Sequence, residues 1–460
     1  MVVRTEQARI KICHNLSEIV NKFHFAPLDE GLNGKPMHKN VVLMALSYIL
    51  DRNHLLVGEP GWGKTTGAKI VCSKMSGLPY DIYDAVEIRG NPQKYEEKVV
   101  GRPDYGRLNK GEEAVVWQGT FGVDAIIVDE GNRLPYDTQD VLLQGIDTGR
   151  WNYLNHSMFA GKKPAFMTVN ERTGYHQNGL LPALKDRFDI FTEEGFWTTM
   201  VVSDFAAAKA AVQAELCDAE FTMKALGALA KDYASYEKAL TRRPVNGHLT
   251  CEEKTAIQEE IRSLSLTERD NDGAFFLQAF MAEINYSGQY GFKRSSDPLS
   301  PDTHDKNYAG VHVKHSFSPR SAMAVEDYAR ALAWLLQEKP SIDHVRFVLP
   351  HVFGHKAEFS DDYKNAHGGD ARKTNETLHL AKTLVEDVAA RYVSSIQPMK
   401  NFISRLQKTD LTDRELREKK VMLSDGTPVS LKPEDHDHPL MKDFVTQAVE
   451  GDRKAFYEVE

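Results

Sequence analysis

The chain has 460 residues, 41% of them hydrophobic and 27% charged, with a formal net charge of -9. That is an ordinary globular composition, long enough for about three domains. It excludes an electrostatic footprint for non-specific DNA binding, although a local basic pore stays compatible with it. The longest apolar run, residues 41–50, contains Ser47 and Tyr48 and falls short of the roughly 18 residues of a membrane span, so it predicts a buried helix. The first six residues lack the apolar stretch of a signal peptide. Cys13, Cys72, Cys217 and Cys251 are scattered without CxxC spacing, which predicts free thiols in a reducing cytoplasm.

Up to about residue 195, helical and strand patterns alternate, as in an α/β core. Leu55-Leu56-Val57 is a short apolar run, and residues 81–88 alternate polar and apolar as a strand does. Ala125-Ile126-Ile127-Val128 and Ala165-Phe166-Met167-Thr168-Val169 predict strands buried on both faces, with Asp189-Ile190-Phe191 as a fifth strand. Residues 200–240, rich in Ala, Glu and Lys, predict helices, and the Ser- and Pro-rich residues 290–310 predict a loop. Further helices are expected over 322–336 and from 378 onward, the latter ended or kinked at Pro398. Val421-Met422-Leu423, Asp425-Gly426, Val429 and Leu431 predict a late β-hairpin.

Gly58-Glu59-Pro60-Gly61-Trp62-Gly63-Lys64-Thr65 fits GxxxxGK[ST] between a strand and a helix. Glycines let the backbone curl so that its N–H groups face phosphates, and the following helix offers its positive end. Gly58, Gly61, Trp62, Gly63, Lys64, Thr65 and Thr66 are therefore the expected nucleotide-binding positions. Lys64 should reach the β- and γ-phosphates, and Thr65 should ligate Mg2+. ATP is the expected nucleotide, although the loop reads phosphates and leaves GTP open. Some 65 residues on, Ala125–Val128 delivers Asp129 and Glu130 at a strand end. Asp129 is expected to hold the metal and Glu130 to polarise the attacking water.

The run Gly131-Asn132-Arg133-Leu134-Pro135, continuing to Gln139 and Leu142-Leu143, is similar to the DEINRxPxxxQxxLL pattern of the MoxR family of AAA+ ATPases. It departs at Gly131, where that family usually has an apolar residue. Thr168-Val169-Asn170 resembles the sensor-1 strand, Leu184 to Phe188 the LDRF element, and Ser318-Pro319-Arg320 the sensor-2 SPR motif. Residues 349–356 resemble the close of the lid, with Lys356 in place of an Arg. The resemblance implies an α/β P-loop fold: a doubly wound parallel sheet with a helical lid domain and, here, a mostly helical C-terminal extension. The expected divisions are 1–195, 196–365 and 366–460, with a helix-2 insert at about 87–122. Residues 99–106 of that insert are expected to touch substrate.

The resemblance further implies a hexameric ring with ATP at subunit boundaries. Such a ring remodels a client protein, commonly with a partner that carries a von Willebrand factor A domain. Charge spread over the transferring phosphoryl group calls for a cation, and an arginine finger accelerates the reaction by roughly 10³ to 10⁵. Arg187 is the expected finger, with Arg133 and Arg172 behind it. Pairing of Arg187 with Asp186 or Asp189 is the structural alternative. Arg320 is expected to touch the phosphates of its own subunit, and Asn170 to orient the attacking water.

Other features carry weaker chemistry. His351 and His355 are spaced i, i+4, which suits either packing or a metal. Glu434-Asp435-His436-Asp437-His438 is a denser set of ligand types in what reads as an exposed loop. The apolar stripe over 378–396 suits either packing or a partner. Two alternative functions stand beside the ring ATPase: a nucleic-acid motor and a nucleotide-gated scaffold. The first is opposed by the acidic charge and the lack of a helix-turn-helix, zinc finger or basic stripe. Intact Lys64, Asp129, Glu130 and Asn170 oppose the second.

Overall fold

The computed structural model describes residues 2–24, 28, 31–93, 96–170, 179–194, 202–266, 272–287, 291–292, 308–314, 317–368, 376–407, 411–423 and 426–450. The chain forms two compact units, Met1–Leu264 with Arg330–Glu338, and Ser265–Ala329 with Lys339–Glu460. Compactness thus divides the chain after Leu264, whereas the sequence suggests divisions at 195 and 365.

The first unit is built on a five-stranded sheet of β1 (His54–Gly58), β2 (Ile88–Arg89), β3 (Ile126–Asp129), β4 (Ala165–Asn170) and β5 (Ile190–Glu193). The spatial order is β2-β3-β4-β1-β5 and every pairing is parallel. Helices on both faces explain why β1, β3 and β4 read as unbroken apolar runs. All five residues of β1 are buried. Register keeps the C-terminal ends within two residues of one another: Gly58 lies opposite Asn170, while Val128 lies opposite Met167, so that Asp129 ends its strand beside Thr168. The loops that leave β1, β3 and β4 therefore start side by side.

The helix Lys39–Leu50 is the expected buried one, and it stops where Asp51 adopts a left-handed conformation at φ 53°. Residues 81–88 do not form the expected strand. Tyr80–Val86 is helical, and only Ile88–Arg89 joins the sheet. Ile82 and Tyr83 are buried, and the Tyr83 hydroxyl donates to Ser76 Oγ at 2.9 Å on the preceding helix, Lys64–Ser76. Tertiary packing decides a pattern short enough to suit either period.

Residues 202–263 are tied to the elements that surround this sheet through long-range polar contacts. Val245 N donates to Gly77 O at 3.0 Å, and Leu249 N to Met75 O at 2.9 Å. Tyr236 Oη donates to Gly119 O at 3.0 Å, and Lys11 Nζ pairs with Glu253 at 2.7 Å. Two antiparallel hairpins project from the unit. Gly101–Pro103 pairs with Val115–Trp117 within the expected insert, and Arg150–Tyr153 pairs with His156–Phe159. Asn155 Nδ2 donates to both Glu113 carboxylate oxygens, at 3.1 and 3.2 Å, and ties the two hairpins together.

The second unit is helical. Phe280 meets Phe317 and Phe353 edge-on, each at 5.4 Å between ring centroids. Leu378, Ala381, Leu384, Val385 and Val388 of helix Glu376–Arg391 are buried, so the stripe is core and not a free docking face. The helix passes through a π turn, Tyr392–Ile396, into a 3-10 turn that holds Pro398, as the proline requires. The late hairpin forms from Lys420–Met422 and Pro428–Ser430, while Asp425 of its turn lies outside the described residues. Most of the loop expected over 290–310 also lies outside them.

Neither metal reading survives. His351 and His355 are buried, and helix Ile342–Phe353 ends before His355, so the pair does not share a helix. In the late cluster, His436 bonds Ser430 O at 2.7 Å, while His438 turns inward to Glu283 at 3.2 Å. Among the described residues no group of three or more His, Cys, Asp or Glu could hold a metal ion. The four cysteines are free, and no described helix is long and apolar enough to cross a membrane.

Glu283 is fully buried and is held by Arg391 at 2.6 Å, by His438 and by the Ala309 N–H at 3.2 Å. Burial pushes its carboxyl up, but hydrogen bonds from His438 and Arg391 outweigh it and hold the group below the ordinary glutamate value. Removing one partner of such a pair leaves a buried charge uncompensated. Arg391→Met should therefore cost about 3–5 kcal/mol in urea unfolding. Glu283→Gln should cost less, because the partly exposed Arg391 can then turn to water.

Candidate active site

The site begins where β1 runs out. Gly58, Gly61 and Gly63 take φ of 147°, 84° and 77°, backbone that side chains with a Cβ rarely adopt, and this wraps the loop over the start of helix Lys64–Ser76. Lys64 Nζ folds back onto the loop, donating to Gly58 O and Glu59 O at 2.7 Å each and to Asn170 Oδ1 at 3.0 Å. Burial pushes its ammonium below the ordinary lysine value, against the pull of Glu194, Asp129, Glu59 and Glu130.

β3 and β4 bring the acids to that lysine. Asp129 Oδ1 accepts from Thr65 Oγ1 at 2.5 Å and from Thr168 Oγ1 at 2.8 Å. Thr168 Oγ1 in turn accepts from the Glu130 N–H at 2.9 Å. Glu130 sits in a left-handed conformation at φ 51°, which lifts its side chain off the strand line. One Glu130 oxygen accepts from Asn170 Nδ2 at 3.0 Å, and the other from Arg133 Nη1. Asn170 thus bridges Lys64 and Glu130, a role beyond capping a strand end. Asn132 Nδ2 donates to Asn170 O at 3.2 Å and locks the two strand exits together.

Two glycines shape the acid pair. A Cβ on Gly90 would lie 1.9 Å from Glu130 O, so only glycine lets the β2 exit pass the Asp129–Glu130 turn. A Cβ on Gly131 would meet Met167 Sδ at 2.4 Å. Met167 fills the space that the usual apolar residue would take, which accounts for the departure at Gly131. Thr65 and Asp129 present hard oxygens 2.5 Å apart, a donor set that fits Mg2+.

A cavity of about 500 Å³ adjoins the loop. Gly61, Trp62, Gly63 and Thr66 line one side, and Phe23, His24, Tyr80, Phe205 and Val212 are among those that complete it. Its size and aromatic walls suit a nucleoside. The second group of residues belongs to no motif. It comes from the turn after the first helix, the Tyr80–Val86 helix and helix Val202–Glu215. Trp62 and Thr66, expected as binding positions, do line the cavity.

The arginines are placed differently. Arg187 pairs with Asp147 at 3.2 Å and Asp186 at 3.5 Å in its own chain. Asp189, its other expected partner, instead holds Arg52 and the Asn53 N–H, each at 3.0 Å. Arg320 belongs to the second unit, near the start of helix Pro319–Leu336, where Ser318 Oγ accepts from Ser321 N at 3.2 Å. Arg172 lies outside the described residues.

Residues 53–188 match the sequence profile of the family described as AAA domain (dynein-related subfamily). The chain carries a distant AAA+-type ATPase domain. The matched span contains Lys64, Asp129, Glu130, Asn170 and Arg187. Among solved structures, a protein from Cytophaga hutchinsonii described as a candidate ATPase superposes with a TM-score of 0.53 at 15% identity, over 84% of this chain and 96% of that one. At that identity the likeness speaks for the fold alone, a parallel P-loop sheet with helical additions. No curated protein sequence matches the chain.

Two buried histidines give the unit an acid sensitivity. Burial lowers His24, packed against Gly63 and Gly67, to about 4. Burial also lowers His54, which lies between Ser47 Oγ and Thr192 Oγ1 at 2.8 Å each, to about 3. Both fall below the ordinary 6.5, so the unfolded chain binds more protons than the folded one below that pH. Their stabilisation is complete above pH 6.5 and is lost as pH falls toward 4. From pH 7 to 5 each should cost about 2 kcal/mol. Urea unfolding at both pH values should show a smaller loss for His24→Gln than for the wild type. An equal loss would contradict a neutral buried His24.

Proposed function

We propose that this protein hydrolyses ATP as a MoxR-like AAA+ ring and uses the cycle to reshape a client protein. The convergence of Lys64, Thr65, Asp129, Glu130 and Asn170 on the adjacent ends of β1, β3 and β4 carries this reading. The loop N–H groups and Lys64 hold the β- and γ-phosphates, which requires Lys64 to leave the Gly58 and Glu59 carbonyls. Thr65 and Asp129 would hold Mg2+, whose charge would neutralise the phosphate oxygens. Glu130 orients the attacking water and accepts its proton, and Asn170 positions both. The aromatic cavity beside Trp62 and Thr66 takes the nucleoside, with ATP the nucleotide.

The arginines complete the site across subunits. Arg187 leaves its surface pair with Asp147 and Asp186 to reach the neighbouring subunit's phosphates. That pairing is only partly buried, which limits the cost of the exchange. The MoxR likeness gives Arg320 a role at the phosphates of its own subunit and a lid role to the helical segment that carries it. The joined hairpins present exposed Tyr105, Leu108 and Leu154, which suit contact with a client polypeptide. A von Willebrand factor A domain protein is the partner that the MoxR likeness favours, and the hexamer is the assembly. Free thiols favour the cytoplasm.

ATP turnover against protein concentration, with assembly followed by light scattering, tests the mechanism. Turnover per subunit should rise as rings form. Glu130→Gln should keep ATP binding and lose roughly 10²–10⁴ in rate, and Arg187→Ala in the assembled ring roughly 10³–10⁵. Normal turnover by Arg187→Ala would move the finger to Arg133. A wild type that never turns over would favour a nucleotide-gated scaffold, and salt-sensitive stimulation by DNA would favour a nucleic-acid motor.

A further inference from the structure

At the edge of the sheet opposite the P-loop, the segments leading into β1, β3 and β4 wall a second cavity of about 410 Å³. Asp51, Asp124 and Lys162-Lys163 come from those segments, and the stretch from Arg243 to Gln258 closes the other side. Because all five strands run parallel, this cavity is separated from the P-loop by the length of the strands. It plays no part in the site described above.

Its lining is unusually cationic. Lys162, Lys163, Arg243 and Lys254 stand against two carboxylates, Asp51 and Asp124. Lys254 pairs with Asp51 at 2.5 Å and Arg243 with Asp124 at 2.7 Å, which leaves Lys162 and Lys163 in excess. Lys163 Nζ spends two donors on Phe121 O at 2.5 Å and Val123 O at 2.8 Å, both neutral carbonyls. Burial pushes its ammonium below the ordinary lysine value, with Asp124 and Glu237 opposing. Lys162 is exposed and has no ion-pair partner among the described residues.

A second observation points to a ligand. Tyr48 lines the cavity and is only 3% exposed, yet its hydroxyl makes no hydrogen bond with the chain among the described residues. A buried phenol normally finds a partner. Lys254 Nζ lies 4.6 Å from the centre of its ring and holds the side chain in place. The cavity therefore combines two cations without a salt-bridge partner among the described residues, one at its mouth and one inside, with a hydroxyl that makes no bond within the fold.

We propose that this cavity binds a small phosphate-bearing dianion, with Lys162 and Lys163 neutralising its charge and the Tyr48 hydroxyl donating to one of its oxygens. The volume takes a pyrophosphate group or a small phosphate ester and excludes a folded macromolecule. The proposal does not depend on ATP hydrolysis.

The test is calorimetric titration of inorganic pyrophosphate into the full-length Lys64→Ala protein at fixed ionic strength, so that the P-loop lysine contributes nothing. One site should remain. Adding Lys162→Ala should weaken it tenfold or more, and adding Tyr48→Phe should weaken it about fivefold, each variant keeping the wild-type circular dichroism. Lys162 is exposed and Tyr48→Phe removes one oxygen, so both chains should fold. Absence of pyrophosphate binding in Lys64→Ala, or binding that neither second substitution weakens, would overturn the site. Citrate bound as tightly as pyrophosphate would overturn the phosphate assignment.

Discussion

The chemistry of this protein depends on the parallel register of β1, β3 and β4. Gly58 opposite Asn170, and Val128 opposite Met167, keep the three strand exits within two residues of one another. A shift of one residue would turn Asp129 to the other face and separate it from Thr65. The register is held from behind by the strands' apolar side chains, which are buried between helices on both faces. Thr168 adds a polar lock, accepting from the Glu130 N–H while donating to Asp129. The exact placement of two acids and a lysine thus follows from ordinary sheet packing.

Every reactive group in this arrangement is already engaged by another. Lys64 is bonded to loop carbonyls and Asn170, Asp129 to two threonines, and Glu130 to Asn170 and Arg133. Such a closed network satisfies buried polar groups that would otherwise be costly. On the proposed function, a bound nucleotide would exchange some of these bonds for its own.

The second unit solves a different problem. Its helices bury an aromatic cluster and an apolar stripe, and a single buried carboxylate, Glu283, gathers segments far apart in the chain. Arg391, His438 and the Ala309 N–H all converge on it. The acid- and histidine-rich stretch near residue 436, which by composition resembles a ligand set, is therefore used to anchor the C-terminal helix. Composition could not separate those uses, because the partner of His438 lies 155 positions away.

The sequence by itself determined the P-loop, the strand carrying Asp129 and Glu130, the Asn170 strand end and the buried character of helix Lys39–Leu50. Each is a local pattern: glycines where the backbone must curl, apolar runs where a strand is covered on both faces, and acids where a strand stops. Tertiary structure alone decided what depends on distant segments. Residues 81–88 became a helix because Ile82 and Tyr83 pack inward. Phe23, His24, Tyr80 and Phe205 met around the loop from elements with no shared motif. Gly90 proved indispensable only through its approach to Glu130. Arg187, expected as a finger by likeness, pairs in this chain with Asp147, whose proximity no spacing in the sequence announces. Short-range stereochemistry is written in neighbouring residues, whereas cavities, ion pairs and the division into compact units arise from long-range packing that the linear order does not display.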